Sequence, residues 1–553
     1  MGLKVLIVGG VAGGASVAAR LRRLNEEAEI ILFERGEYIS YANCGLPYYL
    51  GGVIGKKEHL IIMTPEIFKK RFKVDVRIGH EVIKIDRSQK QVEVFDRING
   101  RTYRESYDKL VLSPGAEPFR PPIKGIDLEG VFTLRTIPDA EAINRFIAYR
   151  KAKQTIILGA GAIGLEVAEN FRKRGLEVTL TDVLNQVLPY LDQEMSFYVE
   201  ENLKQEGISL KLGQPVLTFE KKGEKISVRW EDGEEKECDF VILATGIKPE
   251  VKLAIDAGLD IGENGGIKVN EFLQTNDPDI YAVGDAIETE ELISKRKMII
   301  PLAGPANKQG RVVANNICGR QERYKGTLAT SILKVFNITV ASTGINERSL
   351  PLINEDYEKI YLHPYDHATY YPGASPIHMK ILFSKKSKRI LGAQMIGQIG
   401  VDKRIDVIAT AIYGGLNIID LKDLHLAYSP PYGSAKDPIN MVGFIAENII
   451  KNIVNVTHWD RVDSGDFLLD VRSEEEFKKG HVPYAVNIPL ESLRFNLDKL
   501  PQNRLIKVYC SQGLRSYIAC RILMQKGYQA ENLSGGYLTY LAYKEKGLTK
   551  LSL

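Results

Sequence analysis

A chain of 553 residues with 44% hydrophobic and 26% charged side chains has the make-up of an ordinary globular protein of roughly three or four domains. The net charge, 74 − 70 = +4, is too small to argue for nucleic-acid or membrane partners, and no apolar run is long enough to span a bilayer. Five widely spaced cysteines, an odd number, exclude a disulfide framework; together with the lack of a signal-peptide pattern they predict a reducing, cytoplasmic setting.

Lys4-Val5-Leu6-Ile7-Val8 reads as a strand, followed by Gly9-Gly10-Val11-Ala12-Gly13-Gly14 and a helical stretch to about Asn25. Strand, glycine turn and helix in that order place a pyrophosphate on a helix N-terminus. Val11 stands where the central glycine of G-x-G-x-x-G belongs. Glu34, twenty residues past Gly14, ends the next strand and can accept from a ribose; Arg35 follows it, and Gly115 joins this cofactor set. Ser40-Tyr41-Ala42-Asn43-Cys44-Gly45-Leu46-Pro47-Tyr48-Tyr49 comes next. Gly45 and Pro47 predict a sharp turn into a new helix, leaving Cys44 near its N-terminus, where backbone N–H groups favour a thiolate. A buried structural cysteine is the plain alternative.

Thr155-Ile156-Ile157-Leu158 leads into Gly159-Ala160-Gly161-Ala162-Ile163-Gly164, a full G-x-G-x-x-G between a strand and a helix. The following strand ends at Asp182, a carboxylate suited to the 2′-hydroxyl of NADH and repelling the 2′-phosphate of NADPH. Val183 and Leu184 offer a 2′-phosphate no positive charge, so NADH is the expected donor, with NADPH possible. Glu166, just inside the helix, is either close to the nicotinamide or a solvated helix residue.

Thr275-Asn276-Asp277-Pro278-Asp279-Ile280-Tyr281-Ala282-Val283-Gly284-Asp285 resembles the second flavin motif of the pyridine nucleotide-disulfide oxidoreductases, in which the aspartate, here Asp285, binds the ribityl chain of FAD. Val241-Ile242-Leu243-Ala244-Thr245-Gly246 resembles their crossing between the two nucleotide domains. The resemblance covers roughly residues 1–450 and implies two Rossmann-like domains followed by a β-rich dimerisation domain, with active sites shared across a homodimer. Where many members carry a second cysteine five residues on, this chain has Tyr49. The stretch from Ser40 to Tyr49 thus resembles the single-cysteine branch: coenzyme A disulfide reductases, NADH oxidases and NADH peroxidases. Its second oxidation level must be stored on Cys44 as a mixed disulfide, persulfide or sulfenic acid.

His367-Ala368-Thr369-Tyr370-Tyr371-Pro372-Gly373-Ala374 and Leu426-Ala427-Tyr428-Ser429-Pro430-Pro431-Tyr432 resemble the coenzyme A disulfide reductases. The resemblance implies that Tyr370 and Tyr428 reach into the partner subunit's site and donate to a leaving thiolate, with Tyr371 a competitor for the first role. It also implies that Ser16, Arg20, Arg23, Ser40 and Asn43 contact coenzyme A. A solvated basic helix face, continued by Arg22, is the other reading of the arginines.

Phe467-Leu468-Leu469-Asp470-Val471-Arg472, then Gly480-His481-Val482-Pro483-Tyr484-Ala485-Val486-Asn487, then Cys510-Ser511-Gln512-Gly513-Leu514-Arg515-Ser516 form a series that resembles the rhodanese domain. A loop wrapped around Cys510 aims N–H groups at its sulfur, and Arg515 adds positive charge. Tyr540 stands where rhodaneses often carry tryptophan. Cys238, Cys318 and Cys520 read as structural.

The expected architecture is α/β: an FAD-binding domain in two parts (1–150 and 266–326), an NADH-binding domain (151–265), an α+β dimerisation domain (327–455) and an α/β rhodanese domain (456–553). The leading expectation is an FAD- and NADH-dependent reductase of coenzyme A persulfide, polysulfide or coenzyme A disulfide, acting through Cys44 with Cys510 handling persulfide sulfur. The alternatives are an NADH oxidase working through a Cys44 sulfenic acid, and a redox sensor or sulfur carrier. No metal is called for.

Overall fold

The computed structural model describes residues 2–551, which divide into two compact units: 1–185 with 208–329, and 186–207 with 330–553, less the terminal residues. Each unit is built from sheets whose central strands are apolar on both faces.

The first unit holds two five-stranded parallel sheets. In one, Lys4–Val8 is central, paired in register with Glu29–Glu34 on one side and Lys109–Leu112 on the other, with Asp75–Ile78 and Ile280–Ala282 at the edges. Val5, Leu6 and Ile7 are fully buried, as a strand covered on both faces requires. In the other, Gln154–Leu158 is central between Glu177–Asp182 and Phe240–Leu243, with Ser209–Leu212 and Val131–Thr133 outermost. Both central strands run into a glycine turn where the strand order reverses, the place at which open α/β sheets hold ligands. The second sheet already takes a strand from Val131–Thr133, so the nucleotide domain starts ahead of the expected boundary at 151.

The two turns are built alike. Gly9 and Gly159 have φ of +95° and +111°. A Cβ on Gly14 would come within 1.9 Å of the Gly9 carbonyl oxygen, and one on Gly164 within 1.9 Å of the Gly159 oxygen. Only glycine lets each helix, Ala12–Leu24 and Ala162–Lys173, press onto its own turn.

In the second unit an antiparallel sheet runs Ser331–Val335, Ile338–Gly344, Ile390–Gly397, Ile377–Ser384, Tyr357–Leu362 and packs on Val401–Gly414 and Pro438–Ile450. A five-stranded parallel sheet follows, with the fully buried Ile506–Tyr509 at its centre. The helix Gln193–Gln205 lies inside the expected NADH segment, yet it belongs to this unit. It brings Asp192 and Glu194 to Lys380, which is wholly buried and also pairs with Glu347. Burial alone would raise the Glu347 carboxyl; the ammonium groups of Lys380 and Lys359 override it and hold it down at about 2. Lys359 bonds Asp460 (3.0 Å) and Tyr543 (3.2 Å), so its buried ammonium is satisfied and joins the antiparallel sheet to the last domain. Although three carboxylates converge here, the Lys380 ammonium already occupies their centre.

Candidate active site

Cys44 sits in a short turn of 3-10 helix, Asn43–Gly45, that leads into the five-residue helix Leu46–Leu50. It is solvent-accessible and unpaired. The expected stabilisation of its thiolate by backbone N–H is opposed by the protein's other groups. The protein packed around it, followed by the carboxylates of Glu166 and Asp285, pushes the thiol up, against only a small opposing effect from backbone N–H. So short a helix has little dipole to offer.

Glu166 accepts a hydrogen bond from the Tyr48 hydroxyl at 3.1 Å. Burial raises its carboxyl to about 7, in spite of that bond, with Glu169 adding to the rise. Glu166 is therefore not a solvated helix residue but half of a pair next to Cys44. Tyr48 was not singled out in the sequence; its place four residues after Cys44 is the signal that points to it.

At the first glycine turn Val11 is the N-cap of Ala12–Leu24 and offers no side-chain bond; the Gly14 N–H already donates to the Ser113 hydroxyl at 3.0 Å, which leaves the N–H groups ahead of it for a ligand. Glu34 accepts from the Gly10 N–H (2.9 Å) and the Gly36 N–H (2.8 Å), bracing the turn as well as ending the strand. Arg35 instead makes a two-pronged pair with Glu250, at 2.7 and 2.8 Å. Gly115 has φ +79°, and a Cβ there would press on the Arg135 guanidinium. The Gly284 N–H donates to Gln309, and the neighbouring Asp285 carboxyl is raised by burial and drawn back by Arg135. At the second turn Gly161 caps Ala162–Lys173, again without a side-chain bond and with open space where a Cβ would stand. Asp182 accepts from the Ala160 and Leu184 N–H groups, while Gly246 takes φ +99°.

Ser16 donates to Asn307, Arg20 to Asn315 at 3.1 Å, and Arg23 to the Ala19 carbonyl. Arg20 also lies near Arg311 and Arg320, two cations that the sequence reading missed because they come from a distant helix and its following turn. Arg22 does not continue a solvated face. It is buried and donates to the carbonyls of Asn25, Glu26, Ala28, Phe72 and Lys73, a purely structural role. Ser40 has φ +45° and donates its N–H to Gly10 O; Asn43 is exposed beside Cys44.

In the second unit Tyr370 and Tyr428, 74% and 48% exposed, share a hydrogen bond of 2.7 Å between their hydroxyls. That bond pushes the Tyr370 hydroxyl above an ordinary phenol, so it stays protonated at neutral pH. Tyr371 packs edge-on against the His367 ring.

Cys510 ends the central strand of the last sheet and is 2% exposed. Its Sγ accepts from the Gly513 N–H at 3.1 Å and from the Ser516 hydroxyl at 3.5 Å. A Cβ on Gly536 would lie 2.4 Å from the Cys510 carbonyl, so the chain closes tightly behind the cysteine. Arg515 forms a two-pronged pair with Glu476, both contacts 2.7 Å. Arg472 is buried against Asp470 and covers the Tyr537 ring. Tyr540 packs on Trp459 in the core. Cys238 and Cys520 are buried and raised by that burial, and Cys318 is half-buried.

The family model of the pyridine nucleotide-disulphide oxidoreductases matches residues 3–310, that of their dimerisation domain 330–437, and that of the rhodanese-like domain 455–542. A coenzyme A disulfide reductase of Staphylococcus haemolyticus is 36% identical over 447 residues, 81% of this chain and all of that protein. The crystal structure of reduced Bacillus anthracis CoADR-RHD superposes with a TM-score of 0.97 at 48% identity, covering 99% of each chain. A NAD-dependent persulfide reductase from A. fulgidus gives 0.92 at 38% identity over 97% of this chain and 100% of that one. A water-forming NADH oxidase from Lactobacillus brevis gives 0.78 at 28% identity, covering 82% and 100%. The chain belongs to the pyridine nucleotide-disulphide oxidoreductases, and it carries their dimerisation domain and a rhodanese-like domain after it.

Proposed function

We propose that the protein reduces sulfane sulfur carried on coenzyme A persulfide, polysulfide or coenzyme A disulfide, at Cys44, with Cys510 receiving and delivering the sulfur. The observation that carries this reading is the formed cup at Cys510, whose thiol accepts from Gly513 and Ser516 on the same chain as a lone exposed Cys44.

FAD and NAD(H), the family's cofactors, fit the two glycine turns. Neither N-cap residue, Val11 or Gly161, closes its helix with a side-chain bond, and Gly161 faces open space. Gly9, Val11, Ala12, Gly13, Gly14, Glu34 and Asp285 would hold the flavin; Gly159, Gly161, Gly164 and Asp182 would hold NADH. When bound, the pair supplies two electrons at the sulfur of Cys44. The protein's own groups do the rest. The Cys44 thiolate attacks the substrate's sulfur–sulfur bond, a new bond forms to Sγ, and a thiolate or hydrosulfide leaves. The paired phenols of Tyr370 and Tyr428, supplied by the partner subunit, donate to that leaving group. The two electrons that the bound pair would supply would cleave the Sγ–sulfur bond, leaving the Cys44 thiolate and releasing the second fragment as hydrosulfide or a thiolate. Tyr48 and Glu166 hold an exchangeable proton beside it. The cluster of Arg20 and Arg23 with Arg311 and Arg320 would take the phosphates of coenzyme A, with Ser16, Ser40 and Asn43 along its path.

Reduction of oxygen through a Cys44 sulfenic acid is the second reading, favoured by the likeness to the NADH oxidase, but that protein matches only 82% of this chain and leaves Cys510 without a role. Steady-state NADH consumption and hydrosulfide release with coenzyme A persulfide, polysulfide, coenzyme A disulfide and oxygen, under matched conditions, separates the two. Sulfane sulfur should be turned over fastest, and an oxygen rate above all three sulfur rates would reject the proposal. Cys510→Ser should keep reduction of small coenzyme A substrates and lose that of extended polysulfide or a protein persulfide. If it equals the parent on every donor, Cys510 is not a relay.

A further inference from the structure

The cations around Cys510 are already engaged. Arg515, five residues on, presents the fork of its guanidinium to Glu476, with both contacts at 2.7 Å. Glu476 is itself fixed from behind, since its carboxylate accepts from the Ser473 N–H in a reciprocal cap at the start of Glu474–Lys479. That bond and the Arg515 pair hold its carboxylate well below the usual range, so it stays charged at any working pH. The other arginine of the region, Arg472, is buried against Asp470 and the Tyr537 ring. Glu491 adds a third carboxylate within electrostatic reach of Arg515. Arg515 and Arg472 are thus both paired with carboxylates, and neither guanidinium is free.

Resting on the reading of Cys510 as a sulfur carrier, we propose that Glu476 selects the sulfur donor by keeping Arg515 closed, so that the cup excludes dianionic donors that release sulfite and accepts persulfides that release a thiolate. The chemistry makes this distinction sharp. In either case the Cys510 thiolate attacks the donor's outer sulfur, an Sγ–S bond forms, the donor's S–S bond breaks, and its electron pair leaves with the remaining fragment. From a thiol-borne persulfide that fragment is a thiolate, which takes up one proton. From thiosulfate it is sulfite, which departs with two negative charges from a site that already held a thiolate. An anion of that charge needs a free guanidinium beside the breaking bond. Glu476 denies it one.

Glutamine at 476 keeps the acceptor for the Ser473 N–H while removing the charge, so Glu476→Gln frees Arg515 without undoing the helix start. Loading of Cys510 with one extra sulfur atom, followed by mass spectrometry of the full-length holoenzyme with glutathione persulfide or with thiosulfate, reads the selection directly. The parent should load from the persulfide and load far more slowly from thiosulfate. In E476Q the ratio of thiosulfate to persulfide loading should rise about tenfold or more, the effect of one charge-assisted hydrogen bond. Adding Arg515→Ala should abolish the gain, which a mere loosening of the fold would not. A parent that loads equally from both donors, or an E476Q with an unchanged ratio, overturns the proposal. Absence of any loading of the parent by the persulfide would instead overturn the carrier role of Cys510, whatever the response to thiosulfate.

Discussion

Replacing Glu166 with glutamine should stabilise the first unit above neutral pH while impairing turnover. The carboxyl titrates at about 7 in the folded protein, against 4.5 when exposed, because burial disfavours its charge. Between those values the folded state binds more protons than the unfolded one, so stability falls as pH rises through the window, and the loss is complete above 7. At about 1.4 kcal/mol per pH unit the full loss is roughly 3 kcal/mol. Glutamine carries no charge and can still accept from Tyr48, so it escapes the loss. With a urea dependence of about 1–3 kcal/mol per molar, the unfolding midpoint should rise by about 1–3 M at pH 8 and far less at pH 5. Trp230, fully buried in the same nucleotide domain, reports this transition, and a Trp459→Phe background removes the chain's one other tryptophan. A variant no more stable than its parent at pH 8, or a gain that does not shrink on acidification, would refute the reasoning. The trade of stability for a proton-holding group is common at active sites.

Two further outcomes follow from the site. Tyr370→Phe and Tyr428→Phe should each slow sulfur reduction by on the order of 10²–10³, while flavin reduction by NADH keeps its normal rate in stopped-flow; unchanged turnover in both would make them packing residues. Asp182→Ala should narrow the preference in kcat/KM for NADH over NADPH, and equal use of the two by the parent would remove the argument.

The glycine turns were legible because four glycines in six residues at the first and three in six at the second answer one steric demand, a helix pressed onto its own turn. Cys510 was legible for a similar reason, its loop being a contiguous run. What escaped were groups brought together from afar: Glu476 to Arg515 and Arg311 to Arg20, along with the Asp192, Glu194 and Glu347 carboxylates around Lys380. No local period encodes such pairings, and S-x-x-E at Ser473 signals only a helix start. Arg22 shows the converse, since a basic run looks solvated until the fold supplies five carbonyls. The raised thiol of Cys44 was hidden too, because the carboxylates of Glu166 and Asp285 that act on it come from distant parts of the sequence.

The central claim is that Cys44 is where sulfur is reduced, and hydrosulfide release from polysulfide by Cys44→Ser under anaerobic NADH tests it most directly. The serine variant should still bind FAD, since the first glycine turn and Asp285 are untouched, and it should release no hydrosulfide above background, because a hydroxyl cannot carry a persulfide or mixed disulfide. Hydrosulfide release by Cys44→Ser at the parent's rate would contradict the account.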